Sequence, residues 1–373
     1  MNLAFVQHRL RKNDGQGRVN CEIVKRAIHR GHNVVLLSDY IDQDFQGHPQ
    51  VTWVRIPCPN HYSNLVGGLI SSSLATRWLG NNAKSIDCVI SNGCAVDYPV
   101  DICASHFVHS AWLQSNAHPR HERGANAVYQ GLYTLVNSRR ELSAYKRART
   151  IAAVSQKVKL ELIDAGVDAA KIQVVVNGVD LNEFHPGEPA REHFNLPSNV
   201  PMGLFVGDLK TRRKNADNVL RALTQVPDAH ICFAGALEGS PFPAMASDLG
   251  IANRTHFIGF VKNTADLMRS VDCLIFPSRY EAGTLVVLEA LASGLPVITA
   301  STAGNCDFVK PEFGAVIEDP NSTEELRSSM MDLFGRCTSP IQRASMAGAA
   351  RRAVQNNSWE AMADRYLKLA GAA

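Results

Sequence analysis

The sequence has no closely spaced pair of cysteines, no long apolar run and no marked excess of either charge. Its nine cysteines are scattered singly, an odd count without a CxxC, which argues against a disulfide framework and for a reducing compartment such as the cytoplasm. No stretch reaches about 18 consecutive apolar residues, so no membrane-spanning helix is expected. The first residues, MNLAFVQHRLRKND, lack the continuous apolar region and small-residue cleavage site of a secretory signal. Lys and Arg number 38 against 35 Asp and Glu, a net charge of +3 that is too small to predict a nucleic-acid partner. No aspartate pair of the DxD kind follows a strand, and no His or Cys cluster has ligand spacing, so no metal is expected.

What the chain does have is 373 residues, 45% apolar and 20% charged, a globular balance too long for one core. Short apolar runs bounded by turn residues recur: NLAFVQ, NVVLLS, VTWVRI, CVISNG, ICASHFV and TIAAVS. Stretches with helical apolar spacing lie between several of them, and this alternation predicts a parallel α/β sheet covered on both faces. The pattern restarts after NGVDLNEFHPGEPAREHFNLPSNVP with MGLFVGD, HICFAGA, THFIGF, CLIFPS and PVITAS. Two Rossmann-like domains, 1–183 and 184–357, are therefore expected to face a cleft, with a final helix in 358–373 packing back on the first. Ligands in such sheets lie beyond the carboxyl ends of the strands, so functional residues should follow strands.

The segment CLIFPSRYEAGTLVVLEALASGLPVITAS carries the clearest chemistry. It reads as strand, loop, buried helix starting near Gly283, and strand, with Gly294 as the helix-ending glycine and Pro296 beyond it. Glu281 falls in the loop and Glu289 within the helix. The free amides near Gly283, Thr284 and Leu285 suit a diphosphate, a preference of roughly 0.3–2 kcal/mol from the helix dipole. Glu289 suits a ribose and Glu281 sugar hydroxyls, since a carboxylate accepts from vicinal hydroxyls; a capping Glu and a helix-face Glu satisfy the same spacing. In FVGDLKTRRKN a strand runs into a loop bearing Lys210, Arg212, Arg213 and Lys214, cations able to stabilise a departing diphosphate. KNDGQGRVN sets Gly15 and Gly17 before a helix expected to start around Val19, where backbone could approach a ligand closely. HFVH brings His106 and His109 to a strand end, and base-reading backbone is expected at Gly259, Phe260 and Val261.

SRYEAGTLVVLEALASGLPVITAS resembles the signature of the retaining, family-four glycosyltransferases of group 1, which have two Rossmann-like domains (the GT-B fold) and a Glu, seven residues, Glu motif. AVSQKVKLEL, VVVNGVDLNEFHP, FVGDLKTRRKN and NSWEAMADRY extend the resemblance over nearly the whole chain. It implies transfer with retention from a nucleoside diphosphate sugar, UDP or GDP rather than ADP, to a hydroxyl of a glycan, lipid or small molecule. No further cofactor is implied. The implied catalytic set is His106, Lys214, Arg213 and Glu281, with Gly15, Gly17, Arg212 and the donor positions above around it. Asp208, counted among the donor-binding positions, stands where the family usually has Arg, leaving Arg212 or Arg213 as the second cation. His106 is the first choice for the reaction centre and His109 the second; His109, Asn92 and Asp97 alternatively bind the acceptor. HYSNLVGGLISSSLATRWLG and RHERGANAVYQGLYTLVNSRRELSAYKRAR admit peripheral contact with a membrane, at its inner face, or are ordinary amphipathic helices. A sugar-nucleotide epimerase or a non-catalytic nucleotide-sugar binder would need the same residues. A dinucleotide oxidoreductase would need a third glycine that GQGRVN lacks.

Overall fold

The computed structural model describes residues 1–12, 15–59 and 63–372. Asn13 and Asp14 of the glycine-bearing loop, and His61 and Tyr62 of the amphipathic stretch, lie outside them. The chain forms two compact units: Met1–Gly178 with the segment from Trp359 onward, and Val179–Ser358.

The first unit holds strands β1 (Asn2–Val6), β2 (Asn33–Ser38), β3 (Val51–Arg55), β4 (Cys88–Asn92), β5 (Ile102–Ser105), β6 (Thr150–Ala153) and β7 (Ile172–Val174). All neighbouring pairs are parallel, in the order β3-β2-β1-β4-β5-β6-β7. Interior strands are buried almost throughout, which is why their sequences run continuously apolar instead of alternating. Helices α1 (Gly15–His29), α2 (Asn64–Asn82), α3 (His109–Gln114), α4 (Ala125–Arg147) and α5 (Gln156–Asp164) connect them. Ser63 and Ser155 start α2 and α5 by accepting the backbone N–H of Val66 and Val158, each at 3.1 Å.

The second unit holds β8 (Met202–Val206), β9 (His230–Ala234), β10 (Thr255–Gly259), β11 (Cys273–Phe276), β12 (Val297–Ala300) and β13 (Gly314–Ile317). Their order, β10-β9-β8-β11-β12-β13, repeats that of the first unit. Helices α6 (Ala216–Leu223), α7 (Phe242–Asp248), α8 (Thr264–Arg269), α9 (Leu285–Ala292), α10 (Thr323–Cys337) and α11 (Pro340–Val354) cover it. Gly294 ends α9 with φ +70°, a left-handed conformation that glycine adopts without a Cβ penalty. In both sheets the order reverses beside the first strand, so the crevice for a ligand opens between β1 and β4, and between β8 and β11. This is the doubly wound architecture of each half of a GT-B fold.

The last helix, α12 (Trp359–Leu369), belongs to the first unit. It buries Trp359, Met362, Ala363, Tyr366 and Leu367 and packs on α1. Arg26 clasps Asp364 with Nε and Nη2 at 2.7 and 2.6 Å, and Arg30 adds a third bond at 3.1 Å.

Two helix starts differ from expectation. α1 begins at Gly15 instead of near Val19, so Gly15 and Gly17 form its first turn and not a loop before it. The first turn of a helix tolerates glycine, because its amides have no intrahelical partner. α9 begins at Leu285, after Thr284, whose hydroxyl donates to the Gly304 carbonyl at 2.7 Å instead of capping the helix.

Candidate functional site

In the second unit, the loops after β8 and β11 meet at the switch point. Their meeting is built by one residue the sequence did not single out. Arg279 is nearly buried and pairs in bidentate fashion with Asp217 at 2.7 and 2.9 Å. Its Nη1 also donates to the Arg212 carbonyl at 2.5 Å, and its backbone N–H to the Arg213 carbonyl at 2.9 Å. Burial pushes the Asp217 carboxyl up, but Arg279 and Arg221 together hold it below the usual carboxylate range. Asn215, fully buried with φ +72°, donates through Nδ2 to the Pro277 carbonyl at 2.8 Å and closes the basic loop.

So held, Arg213 and Lys214 converge on one oxygen. Arg213 Nη1 lies 2.5 Å and Lys214 Nζ 2.7 Å from Glu281 Oε1. Lys214 also sits 4.9 Å from the Phe276 ring centroid. Burial pushes the Lys214 amine below its ordinary value, with Glu281 acting in the opposite sense. Gly207, directly after β8, lies against the Lys214 stem: a Cβ there would meet its Cγ at 3.5 Å, an ordinary contact. Arg212 is exposed. Asp208 turns inward on its own loop, accepting from the Lys210 N–H at 2.9 Å and the Thr211 hydroxyl at 2.7 Å. It therefore shapes the basic loop.

The Glu281 backbone donates to the Thr302 carbonyl at 3.2 Å and accepts from the Gly304 N–H at 2.8 Å, so the loop after β12 braces it. Gly283, Thr284 and Leu285 lead into the amino end of α9, and Glu289 lies within that helix, half-buried. Gly259 ends β10, and Phe260, 78% exposed, and Val261 follow it. They connect to the basic loop across the strand ends: Gly235 N–H donates to the Gly259 carbonyl at 2.9 Å and Gly207 N–H to the Ala234 carbonyl at 3.0 Å.

The first unit has its own polar pocket at the ends of β1, β4 and β5, about 190 Å³, lined by Asn92, His106, His109, Tyr133 and Glu141 among others. His106 directly follows β5, and burial pushes its imidazole down to about 4. His109 is not at a strand end; it opens α3. Its Nδ1 lies 2.7 Å from Glu141 Oε1, and its backbone N–H donates to Oε2 at 2.9 Å. Glu141, 32 residues away on α4, carried no sequence signal. Gly93, with φ +49°, admits that carboxylate; a Cβ there would lie 3.3 Å from Oε1. Asn92 donates to Gln7 Oε1 at 3.4 Å. Among the described residues, Gln7 Nε2, Asn92 Oδ1 and His106 Nε2 are buried without a partner. Buried polar atoms are rarely left so; Asn92 and His106 line this pocket and Gln7 the cavity beside it, an arrangement that suits a ligand rich in hydroxyls. Gly17, buried in the first turn of α1, lines an adjoining cavity with Gln7 and Gln16, while Gly15 is exposed. Asp97 lies outside the pocket and pairs with Arg147.

Residues 188–353 match the family model of glycosyl transferases group 1, and residues 13–183 that of glycosyltransferase family 4. The chain belongs to the family-four, group 1 glycosyltransferases. D-inositol 3-phosphate glycosyltransferases of Mycobacterium tuberculosis and Mycobacterium bovis are 33% identical over 212 residues of this family member. The match covers 54% of this chain and 44% of theirs, so it spans less than half the length of these relatives. Three solved structures share the fold. WaaG, a glycosyltransferase involved in lipopolysaccharide biosynthesis, has a TM-score of 0.78 at 19% identity, with all of both chains covered. Sucrose-phosphate synthase from Thermosynechococcus elongatus gives 0.80 at 18%, covering 99% of this chain and 98% of its own. Anabaena HepE, solved in complex with UDP-glucose, gives 0.72 at 18% over all of both chains. Among the described residues of this glycosyltransferase-family chain, no three His, Cys, Asp or Glu side chains group as a metal site, and no helix is long and apolar enough to cross a membrane. A cavity of about 830 Å³ in the second unit lies elsewhere; Asp272 and Pro296, which line it, precede β11 and β12.

Proposed function

We propose that the protein transfers a sugar, with retention at the anomeric carbon, from a nucleoside diphosphate sugar to an acceptor hydroxyl. The observation that carries this reading is the convergence of Arg213 and Lys214 on Glu281 beside the amino end of α9. Two cations and a row of free amides suit a diphosphate whose charge grows as it departs. In the step, the bond from the anomeric carbon to the diphosphate oxygen breaks and one to the acceptor oxygen forms on the same face. The acceptor proton passes to the leaving phosphate oxygen, so no protein nucleophile is needed.

Glu281 then holds sugar hydroxyls, Glu289 the ribose, and the backbone at Gly259, Phe260 and Val261 the base. HepE, crystallised with UDP-glucose, favours UDP as the nucleotide. Gly15 and Gly17 give close backbone approach to the donor. His106 and His109 serve the transferred sugar or the acceptor, together with Asn92; the low basicity of His106 keeps it a neutral hydrogen-bonding group. Exposed apolar rows support peripheral membrane contact: Val66, Leu69, Ile70 and Leu74 on α2, and Val128, Leu132 and Leu135 on α4.

Thermal stabilisation and donor hydrolysis with a panel of UDP-, GDP- and ADP-sugars test the reading. At least one UDP-sugar should raise the melting temperature, and none doing so for any nucleotide overturns it. Lys214→Gln should lower kcat by about 10²–10³ while Glu289→Gln acts mainly on KM. Parent-like kinetics in either variant removes the role assigned to that residue.

A further inference from the structure

A groove of about 650 Å³ runs between α2 and α4 in the first unit. Arg77, Arg139, Arg140 and Arg147 line it, with the hydroxyls of Ser72 and Thr76. Its only carboxylate among the described lining residues is Asp97, which is paired with Arg147 and whose backbone N–H donates to the Thr76 hydroxyl at 2.9 Å. Four guanidinium groups against one carboxylate leave a surplus of three positive charges. Among the described residues Arg140 donates only to neutral oxygens, Cys94 O at 3.1 Å and Asn137 Oδ1 at 3.2 Å. Arg77 and Arg139 are exposed and have no partner among the described residues. Cys94 and Arg140 also line the pocket of His106 and His109, so groove and pocket adjoin.

Guanidinium groups left unneutralised side by side repel one another, and a surface with no ligand gains nothing from gathering them. A phosphate answers the arrangement: it carries about −1.5 to −2 charges at neutral pH and its oxygens accept bidentate bonds from arginines approaching on different sides. We propose that the α2–α4 groove binds a phosphate group of the acceptor, holding it while the acceptor hydroxyl lies in the adjoining pocket. This rests on the glycosyl-transfer reading for the word acceptor, but the phosphate site itself does not. The phosphate is carried either by a soluble molecule or by a lipid.

The test titrates the full-length protein, its Arg77→Gln/Arg139→Gln variant and Lys214→Gln with inorganic phosphate, and separately measures co-sedimentation with phosphatidic acid vesicles and phosphatidylcholine vesicles. Parent and Lys214→Gln should bind one of the two phosphate probes equally, and the double arginine variant at least about tenfold more weakly, as expected for the loss of two charge-assisted contacts. Binding of inorganic phosphate identifies a soluble phosphate; binding only to phosphatidic acid vesicles identifies a lipid-borne one. Binding by the double variant within twofold of the parent overturns the site, as does the absence of binding to either probe. Circular dichroism and unchanged stabilisation by a UDP-sugar establish that the variant is folded. Loss of UDP-sugar binding in every protein with phosphate binding intact would instead count against the donor reading alone.

Discussion

His118 shows how one buried side chain ties stability to pH. It is 1% exposed; its Nδ1 accepts the Arg120 N–H and its Nε2 bonds the Thr134 hydroxyl, both at 2.9 Å. Nδ1 is thus an acceptor that protonation would destroy, and burial pushes the ring down to about 4, as it does that of His106. In the unfolded chain both titrate near 6.5. The folded state therefore keeps its full stability above that value and loses it as pH falls toward about 4, because the unfolded chain takes up more protons there. We expect His118 alone to cost of order 2 kcal/mol at about pH 4.5. Melting curves between pH 7 and 4.5 should show a shallower acid decline in His118→Gln than in the parent, and parallel declines would refute the assignment. At this scale the sequence is least legible. Glu281, Lys214 and Arg213 stood in recognisable strings, but Arg279 and Glu141 did not, because their partners are 62 and 32 residues distant and no local spacing relates them.

The strand ends of the second unit depend on one close approach. A Cβ on Gly235 would stand 2.0 Å from the Gly207 carbonyl oxygen, backbone that cannot swing aside. Gly235→Ala should therefore part the ends of β8 and β9, destabilise by roughly 1–3 kcal/mol and displace the loop bearing Lys214. Denaturant titration with a UDP-sugar binding assay reads both effects, and a variant that keeps full affinity would mean that the loop is positioned from elsewhere. Elements were largely legible from sequence, since continuous apolar runs and helical spacing mark a doubly wound sheet. Boundaries were less so: α1 takes in two glycines that read as loop, and His109 opens a six-residue helix that the apolar pattern ran together with β5. Each difference lies at a helix start, where tertiary contacts such as Glu141 on the His109 N–H outweigh local propensity.

The whole molecule is two units, of which only the second is continuous in sequence. Removing the chain from Trp359 onward would uncover the α1 surface beneath Trp359, Met362, Tyr366 and Leu367 and leave Arg26 without Asp364. Burying such a side chain contributes about 1.5–3 kcal/mol, so the loss of four is comparable with the roughly 5–15 kcal/mol that a domain holds in total. Calorimetry should show the transition of the second unit surviving while that of the first disappears. A truncated protein with both transitions intact would contradict the packing of α12. The discontinuity also sets an order of events during synthesis. The whole of the second unit is synthesised between the two parts of the first, so the first unit's closing helix is the last of its elements to be made. Until the segment from Trp359 onward docks, α1 carries an uncovered apolar face, and that interval is when this chain has most need of a chaperone.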